Sequence, residues 1–282
     1  MQEIAEIGLM LLIYINVNAC CIELLGRDLV YAYQNVLNIA NLTLTLPFDV
    51  VCLSNGILGI FDGERTYFYS IIDGGVRPVG FDVEGLVSNC NYKPPFLVVS
   101  IPSGIVVEDM EKGVRYSFPD AIMGASCSDG FVIYRNEQLE VHVGTGTKTR
   151  NLLGIPKSIN CYNNEIAICT DENIMLLRND EIIVKGRSCS GIDISGKFIV
   201  SYEGSSIEIY DHRLNMLARA KVNGEIIELK IRDNVLAVLT THGIYLYEIV
   251  ELRRGIVVVI LLILSIFSLS ISIFRFISYH RI

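Results

Sequence analysis

No two of the eight cysteines stand as Cys-x-x-Cys, so a zinc site of the common spacing is excluded. A cationic surplus is missing too: 23 Lys+Arg stand against 31 Asp+Glu, a formal net charge of −8, with no basic stripe. Nucleic-acid binding needs clustered cations against phosphates and is not expected. His142, His212, His242 and His280 form no i,i+4 pair. No Gly-x-Ser-x-Gly occurs; Ser126-Cys127-Ser128 and Ser188-Cys189-Ser190 come nearest to that spacing. A hydrolase needs a base beside its nucleophile or ligands converging on a metal, and nothing signals either. Gly144-Thr-Gly-Thr-Lys-Thr149 looks like a phosphate cradle, but Gly146 and Lys148 are not adjacent and Pro156 follows too soon for a helix. It reads as a surface loop. Asp62-Gly63, Asp73-Gly74 and Asp129-Gly130 lack a D-x-D-x-D-G run and read as turns rather than calcium loops. No catalytic residue, metal or cofactor is expected.

What the chain has is one long apolar run. Gly255 to Phe274 is twenty residues without a charge. As a helix that length spans about 30 Å, the hydrocarbon thickness of a bilayer. Arg253 and Arg254 precede it, and Arg275, His280 and Arg281 follow, placed to reach lipid head groups. The sequence therefore predicts a single transmembrane helix over 255–274. Residues 251–254 form a juxtamembrane linker and 275–282 a short basic tail. Within the run, Ser265, Ser268 and Ser272 share one helical stripe, and Ser268-x-x-x-Ser272 is a spacing that lets two helices approach. This face would support a homodimer, and membrane lipid is the partner of the run as a whole.

At the other end, residues 7–15 are apolar and of the size of a signal-peptide core, and Val17-Asn18-Ala19 offers small residues for cleavage. The leading segment carries Glu3 and Glu6 and no cation, whereas a secretory signal wants positive charge there. A buried β-strand is the favoured reading, with a signal peptide over 1–19 as the alternative. A sequon stands at Asn41-Leu-Thr43. Most cysteines sit in apolar runs, as in Asp49-Val-Val-Cys52-Leu and Ile166-Ala-Ile-Cys169, and free core thiols are expected. Cys161 and Cys169 resemble a hairpin pair, but a turn on Asn163-Asn164 sets residue 166 opposite Cys161 and leaves the two thiols out of register.

Between 29 and 250 a unit recurs: an apolar strand, a tight turn, a second strand. Asn55-Gly56 leads into Ile57–Asp62, Ser103-Gly104 into Ile105–Asp109, and Asp129-Gly130 into Phe131–Arg135. Glu172-Asn173 leads into Ile174–Arg178, Ser205-Ser206 into Ile207–Asp211, and His242-Gly243 into Ile244–Glu248. A weaker seventh is Arg27-Asp28 into Leu29–Tyr33. Gly, Asn, Asp and Ser suit two-residue hairpins. The second strands begin at 29, 57, 105, 131, 174, 207 and 244, about 36 residues apart on average, close to the period of a four-stranded propeller blade. Gaps of 26 to 48 imply short blades or insertions.

The ending apolar-x-apolar-aromatic-acidic, clearest in Ile207-Glu-Ile-Tyr-Asp211 and next in Ile57-Leu-Gly-Ile-Phe-Asp62, resembles the end of the third strand of WD40-type blades. The chain has no tryptophan and no Gly-His dipeptide, so it departs from the family's Trp-Asp signature. The resemblance implies an all-β, six- or seven-bladed propeller over 1–250. The last unit runs almost directly into the apolar segment, so residues 7–17 are expected to lend the strand that closes the ring. A membrane-anchored interaction scaffold, with an unidentified protein partner on the propeller loops, is the leading expectation. Two alternatives stand beside it. The layout resembles that of membrane-bound exchange factors, small-GTPase regulators that start vesicle budding at the endoplasmic reticulum. A cell-surface module outside the membrane is the other. The propeller is expected on the cytoplasmic side of a single-pass anchor.

Overall fold

The computed structural model describes residues 6–252, except 41, 145, 179 and 180. The apolar segment 255–274, its Ser265, Ser268 and Ser272, and Asn41 of the sequon lie outside the described residues. Among the described residues no helix is long and apolar enough to cross a membrane.

Among the described residues, twenty-eight strands form seven four-stranded antiparallel sheets. Blade 1 is β2 (Cys21–Leu25), β3 (Asp28–Tyr33), β4 (Val36–Ile39) and β5 (Leu42–Thr45). Blade 2 is β6 (Asp49–Ser54), β7 (Ile57–Phe61), β8 (Arg65–Ile72) and β9 (Gly75–Glu84). Blade 3 is β10 (Asn89–Lys93), β11 (Phe96–Ile101), β12 (Gly104–Asp109) and β13 (Val114–Phe118). Blade 4 is β14 (Ala121–Cys127), β15 (Gly130–Arg135), β16 (Gln138–Val143) and β17 (Gly146–Asn151). Blade 5 is β18 (Pro156–Tyr162), β19 (Glu165–Thr170), β20 (Asn173–Arg178) and β21 (Glu181–Gly186). Blade 6 is β22 (Gly191–Ile194), β23 (Ile199–Glu203), β24 (Ser206–Tyr210) and β25 (Met216–Lys221). Blade 7 is β26 (Ile226–Arg232), β27 (Val235–Thr240), β28 (Gly243–Leu252) and, brought from the start of the chain, β1 (Glu6–Ile15).

β1 runs antiparallel to β28 from Glu6 opposite Leu252 to Ile15 opposite Ile244. The first and last strands of the ring are thereby hydrogen-bonded into one sheet, and the fold needs no other clasp. The first strand of each blade touches the first strand of the next, from β2 round to β26, so these seven strands line a central channel.

The side-chain period of two explains why the middle strands read as unbroken apolar runs. Each blade is covered on both faces by its neighbours. In β19, Ile166 and Ile168 pack towards blade 4, while Ala167 and Cys169 pack towards blade 6. Seven buried clusters result, one at each interface between adjacent blades. The turns supply what such tight hairpins require: Asn55 (φ 42°) and Gly56 (φ 79°) both take the left-handed region, the pattern of a type I′ turn.

Three expectations are corrected here. The recurring unit straddles two phases of the blade. Ile105, Ile174, Ile207 and Ile244 lie on third strands, whereas Leu29, Ile57 and Phe131 lie on second strands. Second strands begin at 28, 57, 96, 130, 165, 199 and 235, so only blade 1 is short and no large insertion exists. No connection between described strands exceeds five residues.

The cysteines are the third correction. Cys161 does stand opposite Ile166, and Cys161 and Cys169 do not pair with each other. They point to opposite faces of blade 5, and each meets a cysteine of a neighbouring blade. Cys127–Cys161 joins blades 4 and 5, and Cys169–Cys189 joins blade 5 to the β21–β22 connection that leads into blade 6. Cys52–Cys90 joins blades 2 and 3. Gly59 is needed beside this last bond, since a Cβ there would lie 2.7 Å from Cys52 Sγ. Among the described residues Cys20 and Cys21 are the free thiols.

Candidate functional site

Polar and charged side chains on the first strands converge on the channel. They begin as lone polar residues inside apolar strands, as in Cys21-Ile-Glu-Leu-Leu25 and Gly191-Ile-Asp-Ile194. A buried polar atom in such a place needs a partner, and here the partner lies on the next blade. Glu228 Oε2 accepts from Ile22 N (3.1 Å), linking blade 7 to blade 1. Glu23 Oε2 accepts from Asn55 N (2.6 Å), linking blades 1 and 2. Ser54 Oγ accepts from Tyr92 N (2.9 Å), and Asn91 Oδ1 accepts from Ser126 N (2.9 Å) and Oγ (2.6 Å). Asn160 Nδ2 donates to Asp193 Oδ1 (2.6 Å), and Asp193 Oδ2 accepts from Ile231 N (2.8 Å). Between blades 4 and 5, Asn164 Nδ2 donates to Asp129 Oδ2 (3.0 Å) from turn to turn, and the Cys127–Cys161 disulfide joins the two first strands.

Charge is balanced at one mouth of the channel. Glu23, Asp193 and Asp233 face Lys93, Lys230 and Arg232 among the lining residues. Lys230 Nζ pairs with Glu228 Oε1 at 3.1 Å. Burial alone would lower the Lys230 ammonium's pKa, but Glu228, Glu23 and Asp193 outweigh it and hold the group charged. Arg232 Nη1 donates to Leu24 O (2.8 Å), and both its Nη groups reach Asn55 Oδ1 (3.3 Å), so this guanidinium is spent on clamping blade 7 to blades 1 and 2. Burial pushes the Asp193 carboxyl up to about 6 against the pull of Lys230. Lys93 differs: its Nζ sits 5.9 Å over the Tyr162 ring, and burial brings it down to about 8. It is the cation of the mouth held by a ring face rather than by a carboxylate.

The residues weighed as chemistry in the sequence are scattered by the fold. His142 lies in blade 4, stacked on Phe131 at 4.6 Å with Glu140 at 3.2 Å. His212 lies in the β24–β25 connection of blade 6 and bonds Glu165 of blade 5. His242 is in the β27–β28 turn, its carbonyl accepting from Tyr14 Oη. Cys127 and Cys189, central to the two Ser-Cys-Ser runs, are disulfide-bonded. The Gly144–Thr149 stretch is the hairpin between β16 and β17, within blade 4, and its backbone bonds form the strand ladder rather than a cradle. Asp62 accepts from Glu64 N and Arg65 N, a turn as expected. Glu23, Asn91, Asn160 and Asp193 were not singled out in the sequence; a lone polar residue within an apolar strand was the available signal.

No protein-family model matches the chain, and no curated protein matches it. Solved structures do. The β-propeller domain of Cps50 (Swd1) from Myceliophteria thermophila matches with a TM-score of 0.61 at 11% identity, over 83% of this chain and 97% of that one. BBS1N, in a complex with ARL6DN, matches with a TM-score of 0.60 at 14% identity, over 89% and 97%. BamB from Moraxella catarrhalis matches with a TM-score of 0.59 at 11% identity, over 86% and 100%. At these identities the likeness concerns architecture alone, and it agrees with the ring closure above that this chain folds as a seven-bladed β-propeller.

Proposed function

We propose that the chain is a membrane-anchored protein-interaction scaffold, tethered through residues 255–274 and offering the channel mouth around Lys93 to a protein partner. One observation carries the reading. Blade 7, which closes the ring, is also the blade whose β28 ends three residues before the uncharged run. A rigid closed ring joined to an anchor by so short a link is suited to holding a partner at a bilayer rather than to turning over a substrate. BBS1N, similar in fold, is itself described in a complex with a protein, ARL6DN. With connections of five residues or fewer, the partner would be met by the channel mouth and strand edges, not by long loops. Lys93 is the side chain there that a partner's carboxylate can engage without breaking an ion pair that holds the ring.

The test uses the full chain in cells, with chemical cross-linking in membrane fractions. Wild type should resist carbonate extraction and cross-link to a discrete partner. Lys93→Glu should stay in the membrane and lose that cross-link; Leu262→Arg should be extracted, because a mid-segment charge costs about 2.5–3.5 kcal/mol on insertion. Extraction of the wild type would refute the anchor, and an unchanged cross-link in Lys93→Glu would refute the mouth.

A second reading is favoured by a specific observation. Three disulfides stitch neighbouring blades, and such bonds persist in oxidising surroundings. They support a module displayed outside the cytoplasm. The place of β1 inside the ring supports the cytoplasmic alternative, because a strand that clasps the last blade is not free to be cleaved as a signal.

A further inference from the structure

β1 is the outer strand of blade 7, and one of its edges is unpaired. Exposed edges are hazardous, and proteins blunt them with charge or with short length. The other outer strands obey. β9 carries Arg77, Asp82 and Glu84, β13 carries Arg115, β17 carries Lys148 and Arg150, β21 carries Glu181 and Lys185, and β25 carries Arg219 and Lys221. β5 has no charge but only four residues. β1 has ten residues and, after Glu6, no charge at all. Met10, Leu11, Leu12, Ile13 and Tyr14 are each between 43% and 52% exposed. An outer strand with one wet face should alternate between buried apolar and exposed polar residues. This one is apolar on both faces and half-exposed on both.

Resting on the anchoring reading above, we propose that this edge lies against the lipid bilayer, with Met10–Tyr14 seated in its interfacial zone and blade 7 facing the membrane. Covalent reach supports this occupant. Gly255, where the uncharged run begins, is three residues beyond Leu252 and so within about 11 Å of it. Met10 is opposite Glu248, four residues before Leu252, about 14 Å along the strand. An anchor starting there holds this edge near the lipid. Neighbouring β25 contacts β1 and carries the exposed Lys221, suited to lipid phosphates, while its Arg219 pairs with Glu208 inside blade 6. Tyr14 and Tyr245, their ring centroids 4.7 Å apart, add the aromatic character that favours the head-group level. A second copy added strand to strand is disfavoured by the bulge between Leu11 and Ile13, which breaks the regular ladder an edge pairing would extend.

The chain has no tryptophan, so a single introduced tryptophan reports without background. Leu11→Trp and Ile13→Trp, each in the full chain, would be reconstituted into phosphatidylcholine vesicles with and without brominated acyl chains. Ile122→Trp, at an exposed apolar position of blade 4 on the far side of the ring, is the control. Emission from positions 11 and 13 should be blue-shifted and quenched by brominated lipid, while that from position 122 should be neither. Protein that floats with the vesicles yet shows no quenching at 11 or 13 overturns the inference and leaves the anchor standing. The same holds if their blue shift follows protein concentration and not lipid, which would mark a second copy as the occupant. Protein that does not float at all removes the anchoring reading and this inference together.

Discussion

Asp193 ties three blades together. It receives Asn160 of blade 5 on one oxygen and Ile231 N of blade 7 on the other, and its own strand belongs to blade 6. Asp193→Asn would set an amide where Oδ2 now accepts, leaving one buried donor unpaired at a cost of about 1–3 kcal/mol. The same change should alter the pH dependence. Burial raises this carboxyl from 3.8 to about 6 in the folded ring. A raised folded value means the group's contribution to stability is fully present below about pH 4 and is lost as pH rises through 6; a shift of roughly two units corresponds to about 3 kcal/mol. Urea denaturation between pH 4 and 6.5 should show this decline in wild type relative to Asp193→Asn. Parallel curves for the two proteins would refute the assignment. At this scale the sequence was half legible. A charged residue between isoleucines in Gly191-Ile-Asp-Ile194 marks a buried polar site, but which blade supplies its partner depends on ring geometry that no local pattern encodes.

Among the elements, the hairpins were legible because their turn chemistry is local. Asn55-Gly56 can hardly serve another purpose, and the opposition of Cys161 and Ile166 followed from where the turn sits. The phase of the repeat was not legible, since all the blade's inner hairpins share the same apolar strand and tight turn; Ile57 and Ile207 look alike yet lie on second and third strands. The disulfides were missed for a related reason. Each joins residues 20 to 38 apart across a blade interface, a separation set by the stacking of sheets and not by strand register. β1 was legible from a deficit, the missing outer strand of the last unit. Deleting residues 1–17 should therefore expose β28 and lower stability. Without β1, the face of Ile249 that packs with Leu9 loses its cover. Thermal unfolding of the truncated chain should begin at clearly lower temperature; a mature domain that unfolds like the full chain would show that the ring does not need this strand.

For the molecule as a whole, the cysteines report whether the ring resides in oxidising or reducing surroundings. The chain has eight. In oxidising surroundings three disulfides leave two thiols, Cys20 and Cys21, their sulfurs 3.1 Å apart and Cys21 buried. In a reducing cytosol all eight would be thiols, and the ring would lose three cross-links worth typically about 2–4 kcal/mol each. Alkylation of the denatured protein, without reductant and after quenching exchange at harvest, counts them directly. Two modified cysteines place the ring on the oxidising side and predict that reductant lowers its unfolding temperature. Eight place it in the cytoplasm, held by the polar belt and β1 alone. A glycan on Asn41 in a eukaryotic host would agree with the count of two and would contradict the count of eight. The two outcomes also bear differently on β1. A ring translocated across the membrane with residues 6–15 still in place must carry them through uncleaved, so N-terminal sequencing of the same sample should read a start at or before Glu6 in either case. A start at Cys20 would remove the clasp from blade 7 and with it the closed ring described here.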